Sequence, residues 1–495
     1  MRTRSLSVLT TALLVTLAAP APAAPDSAHH GRGAAGIFWF LHVSDSHVGA
    51  SDLVYPDATD HLEFALGEGV ATIDPTFVVV TGDLCDGSLN NIPASGQEQA
   101  EWDEYTQVYT QAGMTPDFFF DVPGNHDGYG NVGWSFYLAN SLQGQSTGAV
   151  FFDWTVTTPV AKHYFFGLNS AGDGSPPFVE QPVFTNDEIA ALDAGITANA
   201  DADLVFALAH HPVGTPANGG QVVSLLSNAG GAYYLHGHRH EHSEYLQGSG
   251  TIVSNEVDTL GKGNSSNLAV GVVDHNAFVY RARDVVAPWP FVVITAPVDR
   301  NLRGTDSPHP YAYEVCLDRP DNPFRAVVFS PEAPTDVTVE VPPTIAATSM
   351  SLVPNSAAIW EVELDTTSLT PGPHDVTVTA WVDGSFAQHT VESTFASGPC
   401  GPLPDDGDIP VGGAGGAGGT GGAATGGTGG VAGSGGAPGG AAGSGGEPPA
   451  EASPVDDEGG CGCRVVASPA SGGPLRLDLL VAIAGLAVAR RRRRG

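Results

Sequence analysis

The sequence predicts an α/β domain followed by an all-β domain. Three observations carry that expectation. From position 36 to 290, short apolar runs are each followed at once by a polar motif, and amphipathic stretches lie between them. After Phe291 the texture changes to strand-length runs separated by Pro, Gly and Asp.

Taken in order, the chain opens with two Arg, an apolar stretch from Val8 to Leu17 and a small-residue Ala-Pro-Ala ending at Ala23. That pattern reads as a signal peptide over 1–23 and implies export. FWFLHV (38–43), FVVV (77–80), FFFDV (118–122), LVFALA (204–209) and AYYLH (232–236) have the length and composition of buried strands. Between them, 98–112 places Tyr105, Val108, Tyr109 and Ala112 on one helical face, and Thr185 with Glu188 forms a capping box ahead of Ile189, Leu192 and Ile196. In 291–398, TDVTVEV (335–341) and HDVTVTAWV (374–382) alternate apolar with polar residues, so one face of each is expected to be buried. A hundred or so residues of this kind suit an immunoglobulin-like sandwich.

Residues 399–460 are dominated by Gly, Ala, Ser and Thr, a composition that cannot offset the entropy of ordering, and read as a linker. In 461–495 a Cys-Gly-Cys motif precedes the apolar LDLLVAIAGLAVA and five consecutive Arg, 490–494. The apolar run falls short of the roughly twenty residues a comfortable membrane span needs.

The formal charge of -35 excludes some partners. Of the 19 Lys and Arg, nine lie in the signal and the tail, so the folded part is strongly acidic. Such a surface repels polyanions, and nucleic-acid binding is not expected. A small phosphate ester remains compatible if bound metals reverse the local potential. Of five Cys, only Cys316 and Cys400 are placed to form a structural disulfide; the alternative is two unrelated thiols.

Five polar motifs follow the strand candidates: Asp45-Ser46-His47, Gly82-Asp83-Leu84-Cys85-Asp86, Gly124-Asn125-His126-Asp127, His210-His211-Pro212 and Gly237-His238-Arg239-His240. In α/β sheets the loops at the carboxyl ends of strands converge on one crevice, so groups nearly two hundred positions apart can meet. Mixed carboxylate, amide and imidazole donors favour Mn, Fe or Zn over Ca. Singly, each motif is as compatible with a turn or a cap as with a ligand. In order, each behind a strand, they are hard to obtain by chance.

Together these motifs resemble the signature of calcineurin-like metallophosphoesterases. The resemblance implies a double β-sheet sandwich flanked by helices and a site for two divalent metal ions. Asp45, His47, Asp83 and His240 would hold one ion, and Asp83 would bridge to a second completed by Asn125, His210 and His238. His210 is preferred to His211 because the family's ligand stands two residues before the Pro. Three further segments, 95–105, 272–285 and 289–300, resemble the transmembrane protein sixty-two group, in which an extracytoplasmic phosphoesterase domain precedes an immunoglobulin-like one. The tail resembles a myxobacterial C-terminal sorting signal, which implies a sorting protease, membrane contact through that segment alone, and a cell-surface or secreted product.

The expected reaction is hydrolysis of a phosphate mono- or diester by a metal-bridging hydroxide, with His126 as general acid and Asp127 orienting its ring. Asp86 is expected to support its loop as a carboxylate standing behind the ligands, and Cys85 to be an inert buried thiol. Arg239 is read as a surface residue in preference to a phosphate contact. His42, His61, His163 and His242 match no ligand position. Segments 128–148, 172–182 and 212–220 are expected to shape the pocket. A binding or adhesion protein with a vestigial metal site is the alternative.

Overall fold

The computed structural model describes residues 36–50, 58–263, 266–304, 307–398 and 400. The expected signal peptide, the tail 461–495 and all of 399–460 but Cys400 lie outside the described residues. In chain order the strands are β1 (Ile37–Val43), β2 (Val78–Thr81), β3 (Phe119–Val122), β4 (Phe152–Thr157), β5 (Lys162–Gly167), β6 (Leu204–Leu208), β7 (Ala232–His236), β8 (Ser243–Gln247), β9 (Ile252–Glu256), β10 (Asn267–Asp274) and β11 (Ala277–Asp284). They continue with β12 (Phe291–Ala296), β13 (Val315–Cys316), β14 (Asn322–Phe329), β15 (Asp336–Val341), β16 (Ile345–Ser349), β17 (Ser351–Leu352), β18 (Ile359–Leu364), β19 (Gly372–Val382) and β20 (Ser385–Ala396).

The first eleven form two sheets, ordered β11-β10-β1-β2-β3 and β4-β5-β6-β7-β9-β8. The strands β1, β2 and β3 are parallel, as are β5, β6, β7 and β9, while β10, β11, β4 and β8 pair antiparallel with their neighbours. Side chains alternate across a strand, so β1 feeds two separate cores. Its Phe38 and Phe40 join Phe77, Phe165, Phe206 and Tyr233 in a core between the sheets. Its Trp39, Leu41 and Val43 pack with Leu62, Leu66, Trp102 and Tyr105 on the outer face. The second sheet is covered in the same way, with Tyr164, Val205 and Tyr234 packed against Leu192, Val222 and Leu226 of the helices Asn186–Ala198 and Gly219–Ala229. The result is a two-sheet sandwich flanked by helices, and the five motifs stand at the carboxyl ends of β1, β2, β3, β6 and β7.

All five predicted strands are present, as are the helix Gln99–Gln111 and the Thr185 capping box, in which Glu188 accepts from Thr185 N at 2.9 Å. Segment 128–148, expected to line the pocket as a loop, is largely two short helices, Ser135–Asn140 and Leu142–Thr147. They are held by Asp121, which accepts from Leu142 N at 3.0 Å and Gln143 N at 2.9 Å.

The remaining strands build two sheets, β12-β14-β18-β17 and β13-β20-β19-β15-β16, over a core that includes Val292, Phe324, Val337, Val376 and Val391. The alternation read in 335–341 and 374–382 corresponds to β15 and β19. A disulfide joins Cys316 to Cys400, resolving the two alternatives in favour of the pair. The outer apolar face of the first sheet continues into this all-β region: Phe291, Val293, Val327 and Phe329 belong to the same cluster as Trp39, whose ring lies 5.6 Å from Phe329. Beside that seam, the buried Arg325 Nη1 donates to Asp274 Oδ1 at 2.8 Å.

Glu244 on β8 is buried and accepts from Asn255 Nδ2 at 3.0 Å, and burial pushes its carboxyl up to about 8 despite the opposing charge of Arg303. The folded state therefore keeps a proton that the unfolded chain releases near the ordinary value of 4.5. This contribution to stability is full below that value and is lost as pH rises towards about 8. Between roughly pH 5 and pH 8 the urea midpoint of the wild type should fall relative to that of Glu244→Gln, and parallel midpoints would refute the assignment.

Candidate metal centre

The site begins with unusual backbone. Asp45, His47, Asp83, His238 and His240 adopt φ of 54°, 45°, 51°, 77° and 55°, a region that side-chain-bearing residues rarely occupy. Cross-strand hydrogen bonds hold them there: Asp45 N donates to Gly82 O at 3.0 Å, His47 N to Asp83 O at 3.0 Å and Gly237 N to His210 O at 3.1 Å. Two glycines allow the loops to meet. A Cβ on Gly82, itself at φ 88°, would fall 2.7 Å from His210 Cβ and 2.9 Å from Gly124 N, and one on Gly124 would fall 2.3 Å from Asp83 N.

Six of the seven expected ligands, Asp45, His47, Asp83, His210, His238 and His240, converge. Asp83 Oδ2 lies 3.2 Å from His210 Nε2 and 3.8 Å from His47 Nε2, central to both halves of the set. Asp45 Oδ1 is 3.2 Å from His240 Nε2, which is 3.3 Å from His47 Nε2. On the other side, His238 Nδ1 is 3.2 Å from His210 Nε2. Each carboxylate has its second oxygen fixed from behind, Asp83 Oδ1 by His126 N at 2.8 Å and Asp45 Oδ2 by His238 N at 3.0 Å. His210 is oriented by Nδ1 facing Thr81 O at 2.9 Å, which turns Nε2 inward. Asn125 donates Nδ2 to Tyr129 Oη at 3.0 Å, while its buried Oδ1 has no hydrogen-bond partner among the described residues. An amide oxygen left without a partner in the interior is costly, and a cation would satisfy it.

The electrostatics make the same demand. Burial disfavours charge on His210, but Asp83 and Asp45 outweigh it and raise the imidazole to about 10. Burial likewise opposes ionisation of Asp83, yet His210 and its neighbours hold the carboxyl well below its ordinary value. His238, buried and next to that charge, is lowered to about 3. Two buried carboxylates thus require positive charge between them, and divalent ions would supply it with the donors present.

Around this set the structure departs from the sequence reading in several places. His126 stands at the edge with Nε2 4.0 Å from Asp83 Oδ2, its side chain partly open to solvent. Asp127 does not orient it. The Asp127 carboxylate accepts from Gly124 N at 2.8 Å, Cys85 N at 3.0 Å and Leu84 N at 3.1 Å, stapling two loops, whereas His126 Nδ1 faces Asp86 O at 2.7 Å. Asp86 stands behind a candidate ligand as expected of a supporting carboxylate, its Oδ1 3.3 Å from His47 Nδ1, and it pairs with Lys262. Arg239 is tied down by Glu256, with Nε donating to Oε2 at 2.9 Å, and covers the Tyr245 ring at 5.0 Å, in keeping with the preferred reading. Burial pushes the Cys85 thiol well above its ordinary value, as an inert cysteine requires.

Of the other histidines, His42 bridges Tyr280 Oη at 2.6 Å and Thr81 Oγ1 at 2.8 Å, His61 Nδ1 faces Leu260 O at 2.9 Å, and His242 Nδ1 faces Glu256 O at 2.9 Å. His163 is buried against Phe38. His211 clusters with His210 and His238, its ring 4.4 Å from that of His238, but both its nitrogens are engaged, Nδ1 2.8 Å from Ser170 Oγ and Nε2 3.0 Å from Glu180 Oε1. Glu180 and Lys262 were missed by the sequence reading. No motif marks either; the only signal for Glu180 was its place in 172–182.

Residues 38–242 match the family model for calcineurin-like phosphoesterases. The chain is 29% identical over 147 residues to an Arabidopsis thaliana protein described as a metallophosphoesterase, covering 27% of this chain and 19% of that protein. It is 25% identical over 298 residues to Transmembrane protein 62 of Mus musculus, covering 56% of this chain and 44% of the mouse protein. The chain thus spans less than half the length of these curated relatives. A Streptococcus pneumoniae protein described as a conserved uncharacterized protein and predicted phosphoesterase aligns over 50% of this chain and 90% of its own, at 14% identity and a TM-score of 0.23.

The close approach of Gly82 to His210 and Gly124 yields a direct expectation. Gly82→Ala combines left-handed strain with backbone overlap and should destabilise the protein by about 2 kcal/mol or more while weakening metal uptake. Chemical denaturation and metal analysis of the purified variant check this; a Gly82→Ala protein with wild-type stability and metal content would contradict the packing described.

Proposed function

We propose that this chain, which carries a calcineurin-like phosphoesterase domain across residues 38–242, is an exported phosphoesterase that holds two divalent ions and hydrolyses a compact phosphate mono- or diester. The observation that supports this most is the clustering of Asp45, His47, Asp83, His210, His238 and His240 in overlapping groups around Asp83 and Asp45, together with the unpartnered Oδ1 of Asn125. Asp45, His47, Asp83 and His240 would hold one ion, and Asp83, Asn125, His210 and His238 the other. When bound, the ions supply Lewis acidity and lower the pKa of a water nucleophile towards neutrality.

The chain's own groups divide the remaining work. Asp83 and Asp45 fix the donor geometry because backbone N–H groups hold their outer oxygens. His126, with Nδ1 against the Asp86 carbonyl and Nε2 towards the cluster, is placed to give a proton to the departing oxygen. The two cations beside the cluster are already paired, Arg239 with Glu256 and Lys262 with Asp86. Neither is free to neutralise additional phosphates, which favours a substrate with a single phosphoryl group over a polyphosphate or nucleic acid. Metal identity is left to the choice among Mn, Fe and Zn that these donors suit.

Export rests on the signal-like 1–23 and agrees with a disulfide, which persists in oxidising compartments. In this reading 36–290 is the catalytic domain, 291–398 an immunoglobulin-like support, 399–460 a linker, and 461–495 a segment processed by a sorting protease for surface retention or release.

Purified protein supplied with Mn should hydrolyse bis(p-nitrophenyl) phosphate or p-nitrophenyl phosphate. Asp83→Asn should abolish turnover, and His126→Ala should lower kcat by about 10²- to 10⁴-fold with metal content unchanged. Absence of hydrolysis of both esters with Mn, Fe and Zn would sink the enzymatic reading.

A further inference from the structure

The ring of His238 is used on both sides. Its Nδ1 faces His210 Nε2 at 3.2 Å, which makes Nδ1 the nitrogen available to an ion shared with His210. Its Nε2 points the other way, to Glu180 Oε1 at 3.7 Å. The same oxygen is 3.0 Å from Nε2 of His211, a buried residue whose Nδ1 is 2.8 Å from Ser170 Oγ and whose backbone N donates to that hydroxyl at 3.0 Å. A fixed imidazole therefore holds Glu180 in place although the carboxylate side chain is 37% exposed. We propose that Glu180 is a positioning residue for the second ion: the charge of its carboxylate, 3.7 Å from His238 Nε2, favours the tautomer with the proton on that nitrogen, presents Nδ1 as a ligand, and sets how tightly that ion is held. The inference rests on the two-ion reading above.

The contrast between the two halves of the site supports the assignment. On the first side, Asp45 contributes a full negative charge, and His47 leans on Asp86 at 3.3 Å, a carboxylate whose charge is shared with Lys262. On the second, the donors other than the bridging Asp83 are Asn125, His210 and His238, all neutral when bound to metal. Glu180, whose Oε1 stands 3.7 Å from His238 Nε2, at ion-pair distance, is thus the carboxylate that compensates for the missing charge, and a carboxylate behind a metal-bound imidazole increases its basicity. It arrives from segment 172–182, anchored by Phe178 N donating to Ala94 O at 2.8 Å and Val183 N donating to Ser170 O at 3.0 Å. Occupancy of the second position is thereby coupled to the placement of a surface segment.

The test uses full-length protein stripped of metal and titrated with Mn²⁺ by calorimetry, comparing wild type, Glu180→Gln, Glu180→Ala and the remote control Glu332→Gln. The wild type and the control should take two ions per chain. Both Glu180 variants should bind the first ion with wild-type affinity and the second about 10- to 100-fold more weakly, with Ala the more affected, and excess Mn²⁺ should restore kcat with KM unchanged. Thermal unfolding of the metal-free variants should match the wild type. Unaltered binding of both ions by Glu180→Ala would overturn the proposal, as would loss of the first ion in step with the second. A wild type that takes fewer than two ions would instead overturn the two-ion reading, and this inference with it.

Discussion

Repulsion between two buried carboxylates governs the architecture around it. Asp45 and Asp83 are both withdrawn from solvent, and neither ionises there unless positive charge stands between them. The surrounding chain is organised to provide that charge and to keep it in place. Backbone amides take the outer oxygens, imidazoles take the inner ones, and left-handed turns aim the side chains inward. The strain of those turns, of order 1–3 kcal/mol each, persists because sheet hydrogen bonds and close glycine contacts on both sides leave the backbone no alternative. The two-sheet sandwich matters chiefly as the frame that brings five strand ends to one place.

Much of this was legible in the sequence because of how parallel strands are buried. A strand covered on both faces reads as a continuous apolar run, as in 38–43 or 204–209, and the polar residue that follows it stands out. Strands with mixed exposure gave no such signal. In β4 buried and exposed positions alternate, and the helical run Ala58–Phe64, Ala65–Gly69 and Val70–Ile73 is interrupted by Gly67 and Gly69, which lower helical propensity. The ligands were recognisable because each belongs to a motif. Of the residues behind them, Asp86, which stands behind His47 and His126, was legible because it closes a motif of its own, whereas Glu180 behind His238 comes from a loop with no motif. Asp127 shows how proximity in sequence misleads: it is adjacent to His126 in the chain, yet its carboxylate faces three backbone amides.

The charge economy of the site is also distinctive. In a chain with 54 acidic and 19 basic residues, the cations near the cluster are engaged by Glu256 and Asp86. Arg239, the one Lys or Arg inside a candidate ligand motif, is stacked and ion-paired at the second sheet's edge, so in the proposed function recognition of phosphate would fall to the ions themselves. Bound cations would reverse the local field in such a pocket, which is how, on the proposed reading, an acidic protein would accept an anionic ester.

The apolar seam between Trp39 and Phe329 reaches beyond the pocket. The aromatic face on which β1 rests is completed by strands that follow it by roughly three hundred positions, and Arg325 meets Asp274 at the margin. The β-rich half is therefore part of the scaffold's interior, not a hinged appendage. Any exchange of this half for another, in evolution or in the laboratory, has to bring a matching greasy surface or leave Trp39 facing water.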